Sequence, residues 1–194
     1  MKKNIPKLSY FAIGLISTLL LGKLLLGGAF ANAETINKPL PEFTQSAAQA
    51  WLNSAPLKKE DLLGKVILID FWTFDCWNCY RSFPWLHEVE DKFKDKGLQV
   101  IGIHSPEFAH EHERPRLEKK VAKYKLEHPI MMDNDFSYWQ AMKNQYWPAF
   151  YLVDKNGIIR QRFIGETHAD GAQAQRIEGL IEQLLAEPLL EKNE

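Results

Sequence analysis

The chain has 194 residues, 45% hydrophobic and 25% charged, a balance that supports one packed domain and leaves room for little else. Its formal net charge is -1 and no run of like charge extends beyond a few residues, so it lacks the basic surface by which nucleic-acid binders hold phosphates. Nucleic acid is therefore excluded as an expected partner.

The first 33 residues read as an address. Lys2, Lys3 and Lys7 precede an apolar stretch from Leu8 to Gly22, and beyond Lys23 a second apolar patch leads to Ala31-Asn32-Ala33, the small-x-small pattern of a signal-peptidase site. Cleavage after Ala33 would release residues 34–194. Left uncleaved, Leu8 to Phe30 is long enough to span a bilayer as an N-terminal membrane anchor, although Lys23 would be costly near its centre. Either outcome places the remainder outside the cytoplasmic membrane, in the periplasm or another extracytoplasmic space, and the chain touches the membrane only if this segment is retained. Residues 1–33 hold four lysines and no acids, so residues 34–194 carry 20 basic and 25 acidic side chains, a net charge of -5. That suits a soluble, non-sticky domain.

The remainder alternates strand and helix. Lys65 to Trp72, "KVILIDFW", is a short apolar run rich in branched residues, which predicts a strand buried on both faces. From Cys76 the period changes: Phe83, Leu86, Val89 and Phe93 recur at helical spacing, and Gly97 stops the helix. "LQVIGIH", residues 98–104, predicts a second buried strand reached by a parallel crossover. Leu117, Val121 and Tyr124 then mark one helix, and Phe136, Trp139 and Met142 a shorter one. Residues 149–154 and 158–164 flank Lys155-Asn156-Gly157, a hairpin signal that turns the sheet antiparallel. A last amphipathic helix carries Ile177, Leu180, Ile181, Leu184 and Leu185 and ends before Pro188. The expected class is α/β, a central mixed β-sheet flanked by helices.

Cys76 and Cys79 are the chain's only cysteines. In an oxidising compartment isolated thiols pair, but a bridge across two residues closes too small a loop to stabilise much through chain entropy. Structural zinc normally needs four ligands, and there is no second cysteine pair; His87 and His104 could join only by coincidence of folding. A redox-active dithiol is the leading reading.

Its position explains the chemistry. A thiol on the first turn of a helix faces unpaired N-H groups and the positive end of the dipole, so the Cys76 thiolate is favoured and Cys76 is the expected nucleophile. Cys79, one turn further in, is expected to be more buried and to resolve the mixed disulfide. Asp70 stands in an otherwise apolar strand six residues before Cys76, where desolvation would raise its pKa and make it a proton acceptor for Cys79. The competing reading is an acid at the strand end that simply reaches water.

The "DFW" strand end, the Cys-x-x-Cys at a helix start, Pro84 five residues after Cys79 and a proline opening the late hairpin strand together resemble the thioredoxin superfamily. Within it, "FWTFDCWNC", "VIGIHSPEF", "DNDFSYWQAMKNQYWPAFYLVDKNG" and "FIGE" look like exported TlpA-like thiol-disulfide oxidoreductases, and most of all like the thioredoxin-like domain of DipZ-type proteins. The likeness covers about residues 43–166, without the membrane-embedded relay domain and the further C-terminal domain of those proteins. It implies a single thioredoxin-like domain over residues 34–194. It also implies that Pro148 is a cis-proline facing the dithiol, with Trp147 lining the substrate groove. Residues alone favour an ordinary trans-proline at a strand's first position, where no ladder donor is needed. Trp72, Trp77 and Trp147 are candidates for the contact surface, with a core role the alternative for Trp72.

Some features depart from the pattern. Trp77-Asn78 lies between the cysteines, where DipZ-like domains usually have an aliphatic residue before Asn and many TlpA-like proteins have proline, so the redox poise is open. "FAHEHERPR" sets His110 and His112 beside Glu111 and Glu113; a transition-metal site is ranked below a solvated helix start, and no metal is assigned. His104 is either a neighbour of the dithiol or a satisfied loop histidine.

The expected function is an exported thiol-disulfide oxidoreductase that reduces protein disulfides through Cys76 and Cys79, with no cofactor beyond that redox-active pair. Its partners would be protein thiol and disulfide clients and a membrane electron donor. The alternatives are a disulfide-donating oxidase, a copper-binding thioredoxin-fold module and a thiol peroxidase. Thr73 to Cys76 supplies the T-x-x-C of the last, but Ile69 stands where its proline would be.

Overall fold

Seven strands form one sheet in the computed structural model, which describes residues 33–190; their order across the sheet is β1 (Ala33–Pro39), β7 (Ile158–Ile164), β6 (Ala149–Val153), β3 (Val66–Trp72), β4 (Leu98–His104), β5 (Ile130–Met132) and β2 (Trp51–Leu52). The leader reading for residues 1–33 lies outside the described residues, but for Ala33 itself. No helix among the described residues is long and apolar enough to cross a membrane.

The centre of the sheet is β3 (Val66–Trp72), buried along its whole length. It pairs in parallel with β4 (Leu98–His104) and antiparallel with β6 (Ala149–Val153). Branched residues crowd both faces here because helices or loops cover both, and the alternation of side chains sorts them. Val66, Leu68 and Trp72 face one core with Cys79, Phe83, Leu86, Ile177 and Ile181; Ile67, Ile69 and Phe71 face the other with Tyr138 and Tyr151. The first face carries α1 (Trp77–Phe93), α2 (Arg114–Tyr124) and α4 (Ala172–Ala186), and the second carries the short α3 (Ser137–Ala141). A 3-10 turn follows α1 and ends at Gly97, whose φ of 106° is easy only for glycine.

β6 and β7 (Ile158–Ile164) form the expected hairpin, with Gly157 at a φ of 75° in the turn. Three strands have no counterpart in the sequence reading. β5 (Ile130–Met132) and β2 (Trp51–Leu52) are too short to show a period, and β1 (Ala33–Pro39) is a polar, mostly exposed edge held by its ladder to β7. Together they extend the sheet at both ends without touching its centre.

The order of strands locates the site. β3 ends at Trp72, opposite Ala149 through its neighbour Phe71, so the residue before β6, Pro148, lies beside the segment that leads from β3 into α1.

Candidate active site

Residues 73–76 carry the chain from β3 to α1, and Cys76 is the N-cap of that helix. Its sulfur accepts the Cys79 backbone N-H at 3.1 Å, the bond that a serine or aspartate oxygen would take at an ordinary N-cap. The two cysteines form a disulfide with Cα atoms 5.3 Å apart. They differ in access: Cys79 is 1% exposed within the core under α1, while Cys76 is partly exposed. Cys76 opens into a depression of about 310 Å³ lined by Phe74, Asp75, Trp77, Tyr80, Lys123 and Tyr124. Trp77 is 67% exposed at its rim.

Asp70 lies on the α1 side of β3, since it alternates with Leu68 and Trp72, and is 2% exposed. Its Oδ1 has no hydrogen-bond partner, and burial pushes its pKa up to about 8. The carboxyl is therefore largely protonated at neutral pH. The alternative of an acid that reaches water does not describe it.

Trp147-Pro148 is a cis peptide bond, and the Pro148 carbonyl accepts the Gly165 N-H at 2.9 Å. Trp147 is half-buried; its indole Nε1 donates to the Ser105 carbonyl at 3.0 Å, and its ring lies 4.3 Å from that of Trp139. Trp139 is placed in turn by Asp133, which accepts the N-H groups of Tyr138 and Trp139 at 2.9 and 2.8 Å at the start of α3. Trp72, by contrast, is fully buried against Phe83 and belongs to the core.

The stretch around His110 and His112 is not simply a solvated helix start. Glu111 is fully buried: it accepts the Thr73 hydroxyl at 2.5 Å and the N-H groups of Asp75, Glu107 and Phe108 at 3.0, 2.7 and 2.8 Å. Burial raises its pKa, but these donors outweigh burial and hold it below the usual carboxylate value. The residue between two histidines gave no apolar period to mark it, and a lone acid in a polar run reads as surface. His110 bonds Asp75 at 2.6 Å, and among the described residues no group of three or more His, Cys, Asp or Glu is arranged to hold a metal ion. His104 ends β4 rather than standing in a loop; it is buried, with Nε2 3.3 Å from the Thr73 hydroxyl, and burial lowers its pKa to about 4.

A partly exposed sulfur at a helix N-cap, a buried partner sulfur and a buried carboxyl on the strand beneath form the arrangement, and comparison with known proteins assigns it a lineage. The AhpC/TSA family model matches residues 36–162. The chain belongs to the AhpC/TSA family. It is 31% identical over 153 residues to the thiol-disulfide oxidoreductase YkuV of Bacillus subtilis, covering 78% of this chain and 97% of that one. To the protein DipZ of Mycobacterium bovis it is 41% identical over 119 residues, covering 60% of this chain but 17% of that protein, so it spans less than a fifth of this relative's length. Among solved structures, a thioredoxin-like protein in its oxidised form superposes with a TM-score of 0.65 at 30% identity, covering 77% of this chain and 96% of that one. The fold of this AhpC/TSA family member is thioredoxin-like, and YkuV, which it matches over nearly that protein's whole length, is a thiol-disulfide oxidoreductase.

Proposed function

We propose that this chain is exported and reduces disulfides in protein clients, with Cys76 attacking, Cys79 resolving and Asp70 handling the proton. The observation that carries the reading is the unequal access of the two sulfurs above a buried, unpartnered carboxyl. The exposed Cys76 thiolate, favoured by the Cys79 N-H and the helix dipole, attacks one sulfur of the client disulfide and releases the other as a thiolate. Cys79 then gives up its proton to the ionised fraction of Asp70, which grows as pH approaches 8, and attacks the Cys76 sulfur. The bond to the client breaks, the client leaves as a dithiol, and its two electrons have come from the Cys76–Cys79 pair.

Trp77, at the rim of the depression that holds Cys76, would meet the client first, and Trp147 with the backbone beside the cis-Pro148 bond would line the groove that a client strand occupies. Export rests on the lysine-led apolar leader, and a compartment that oxidises thiols would require a membrane electron donor to return the pair to its reduced form. The peroxidase alternative draws no support from Thr73, whose hydroxyl is given to Glu111.

Cys79→Ser tests the roles. Expressed in the native compartment, it is expected to accumulate client adducts that are cleaved by reductant and carried on Cys76. An adduct that forms only on Cys79, in Cys76→Ser, would reverse the roles; no adduct from either, together with consumption of hydrogen peroxide, would overturn the reading.

A further inference from the structure

Glu111 is a buried ionised group for which disulfide exchange as described has no use. Two of its four donors, the Thr73 hydroxyl and the Asp75 N-H, belong to the three residues that run from β3 into Cys76; the other two, the N-H groups of Glu107 and Phe108, belong to its own loop. One carboxylate therefore staples the approach to the dithiol onto the loop before α2. All four donors are neutral, and among the described residues no cation bonds to it. Hydrogen bonds from neutral groups spread a charge but do not cancel it.

The other charged groups around Cys76 are held in different ways, and two of them are the cations Lys120 and Lys123. Asp75 is held by Lys120 at 2.8 Å and by His110 at 2.6 Å. Lys123 lines the depression in front of Cys76 and packs over the Tyr124 ring. Asp70 lies on the sheet below α1 and is largely protonated, and His104, behind Thr73, is neutral near pH 7. The charge of Glu111 reaches beyond its own loop, since both His104 and Lys120 are drawn toward their protonated forms by it.

We propose that Glu111 is a positioning residue that sets the redox poise of the couple: it fixes the Thr73–Asp75 approach to α1 and holds a negative charge with no bonded cation against the residues that lead into Cys76, disfavouring the Cys76 thiolate. The proposal rests on Cys76 being the exposed, attacking thiol. The disulfide takes two electrons and two protons to become the dithiol, and loss of the Cys76 proton then creates the charge that Glu111 opposes. A less stable thiolate makes the reduced pair easier to oxidise, so Glu111 holds the couple toward the reducing side. The effect acts above the Cys76 pKa and fades below it, where both thiols keep their protons.

The test compares wild type, Glu111→Gln, Glu111→Asp and Thr73→Val as full chains, equilibrated with glutathione buffers from pH 5 to 8, with the Cys76 pKa read from the pH dependence of alkylation. Gln keeps the shape and removes the charge: it is expected to shift the equilibrium about tenfold toward the reduced pair, equivalent to about 30 mV, with a lower Cys76 pKa and a shift that shrinks in acid. Asp keeps the charge and is expected to stay near wild type in potential although its geometry is poorer. Val leaves the carboxylate with one donor fewer, so its potential is expected to fall. An unchanged potential in Glu111→Gln, or a rise in all three variants in step with lost stability, would reduce Glu111 to a structural clamp and overturn the proposal. If Glu111→Gln does not fold, Thr73→Val decides alone: a fall supports the proposal, and a rise or no change overturns it. The wild-type potential by itself reports on the direction of electron flow; only differences between variants report on Glu111.

Discussion

Asp70 and Cys79 show how one residue pair divides the work of burial. A carboxyl with an unpartnered oxygen inside the core is costly as an anion, and that cost is what keeps a proton there near neutral pH. Cys79, equally buried, needs a nearby base more than Cys76 does, because its own thiolate gains less from solvent. Asp70→Asn is thus expected to leave the first step, attack by Cys76, near its wild-type rate. Resolution by Cys79 is expected to slow about 100-fold, the low end of what a positioned base contributes. Stopped-flow release of the first and second client thiols separates the two steps, and equal slowing of both would remove Asp70 from its role as base.

At the scale of elements, the junction of β3, β4 and α1 is packed through an absence of side chain. Gly102 pairs with Asp70 in the parallel ladder, and a Cβ placed there would lie 2.9 Å from the Trp72 indole nitrogen and 3.2 Å from Ile130. Gly102→Ala is expected to lower unfolding stability by about 1–3 kcal/mol through overpacking, read from denaturant melts. This junction was largely legible in the sequence. "KVILIDFW" announces a doubly buried strand because two faces of apolar side chains leave no polar alternation, and Phe83, Leu86, Val89 and Phe93 announce α1 because a helix buries one side. What could not be read is where contact, not pattern, decides. β1 has no apolar period because its ladder to β7 holds it, and β5 spans three residues, fewer than a period needs. Glu111 sits between two histidines in a polar run, and only the fold brings Thr73 and Asp75 to its oxygens. The neighbourhood of Pro148 and the dithiol was implied by family resemblance and not by composition, since residues distant in sequence meet there through the β3–β6 register.

For the whole molecule, two buried groups give stability a distinctive pH course. Asp70 is raised to about 8, so between its ordinary unfolded pKa near 4 and pH 8 the unfolded chain holds fewer protons than the native one, and stability falls with rising pH by at most about 1.4 kcal/mol per unit. His104 is lowered to about 4, so from pH 4 to its ordinary value near 6.5 the unfolded chain holds more protons, and stability rises by a similar slope. From these two groups, the curve is level between about pH 4 and 6.5 and falls from about 6.5 to 8. Asp70→Asn is expected to remove the alkaline fall and uncover the acid rise, measured as unfolding free energy across that range. A wild-type curve that climbs toward pH 8 would contradict the burial of Asp70.

If the Cys76–Cys79 pair gives electrons to client disulfides, as proposed, the reduction potential of the wild-type couple must lie on the reducing side. Equilibration with defined thiol buffers and quantification of the oxidised fraction are expected to give about -250 mV or lower, in the range of reducing thioredoxin-type couples. A value near about -120 mV, that of a strong disulfide donor, would contradict the claim and reverse the flow of electrons through the site.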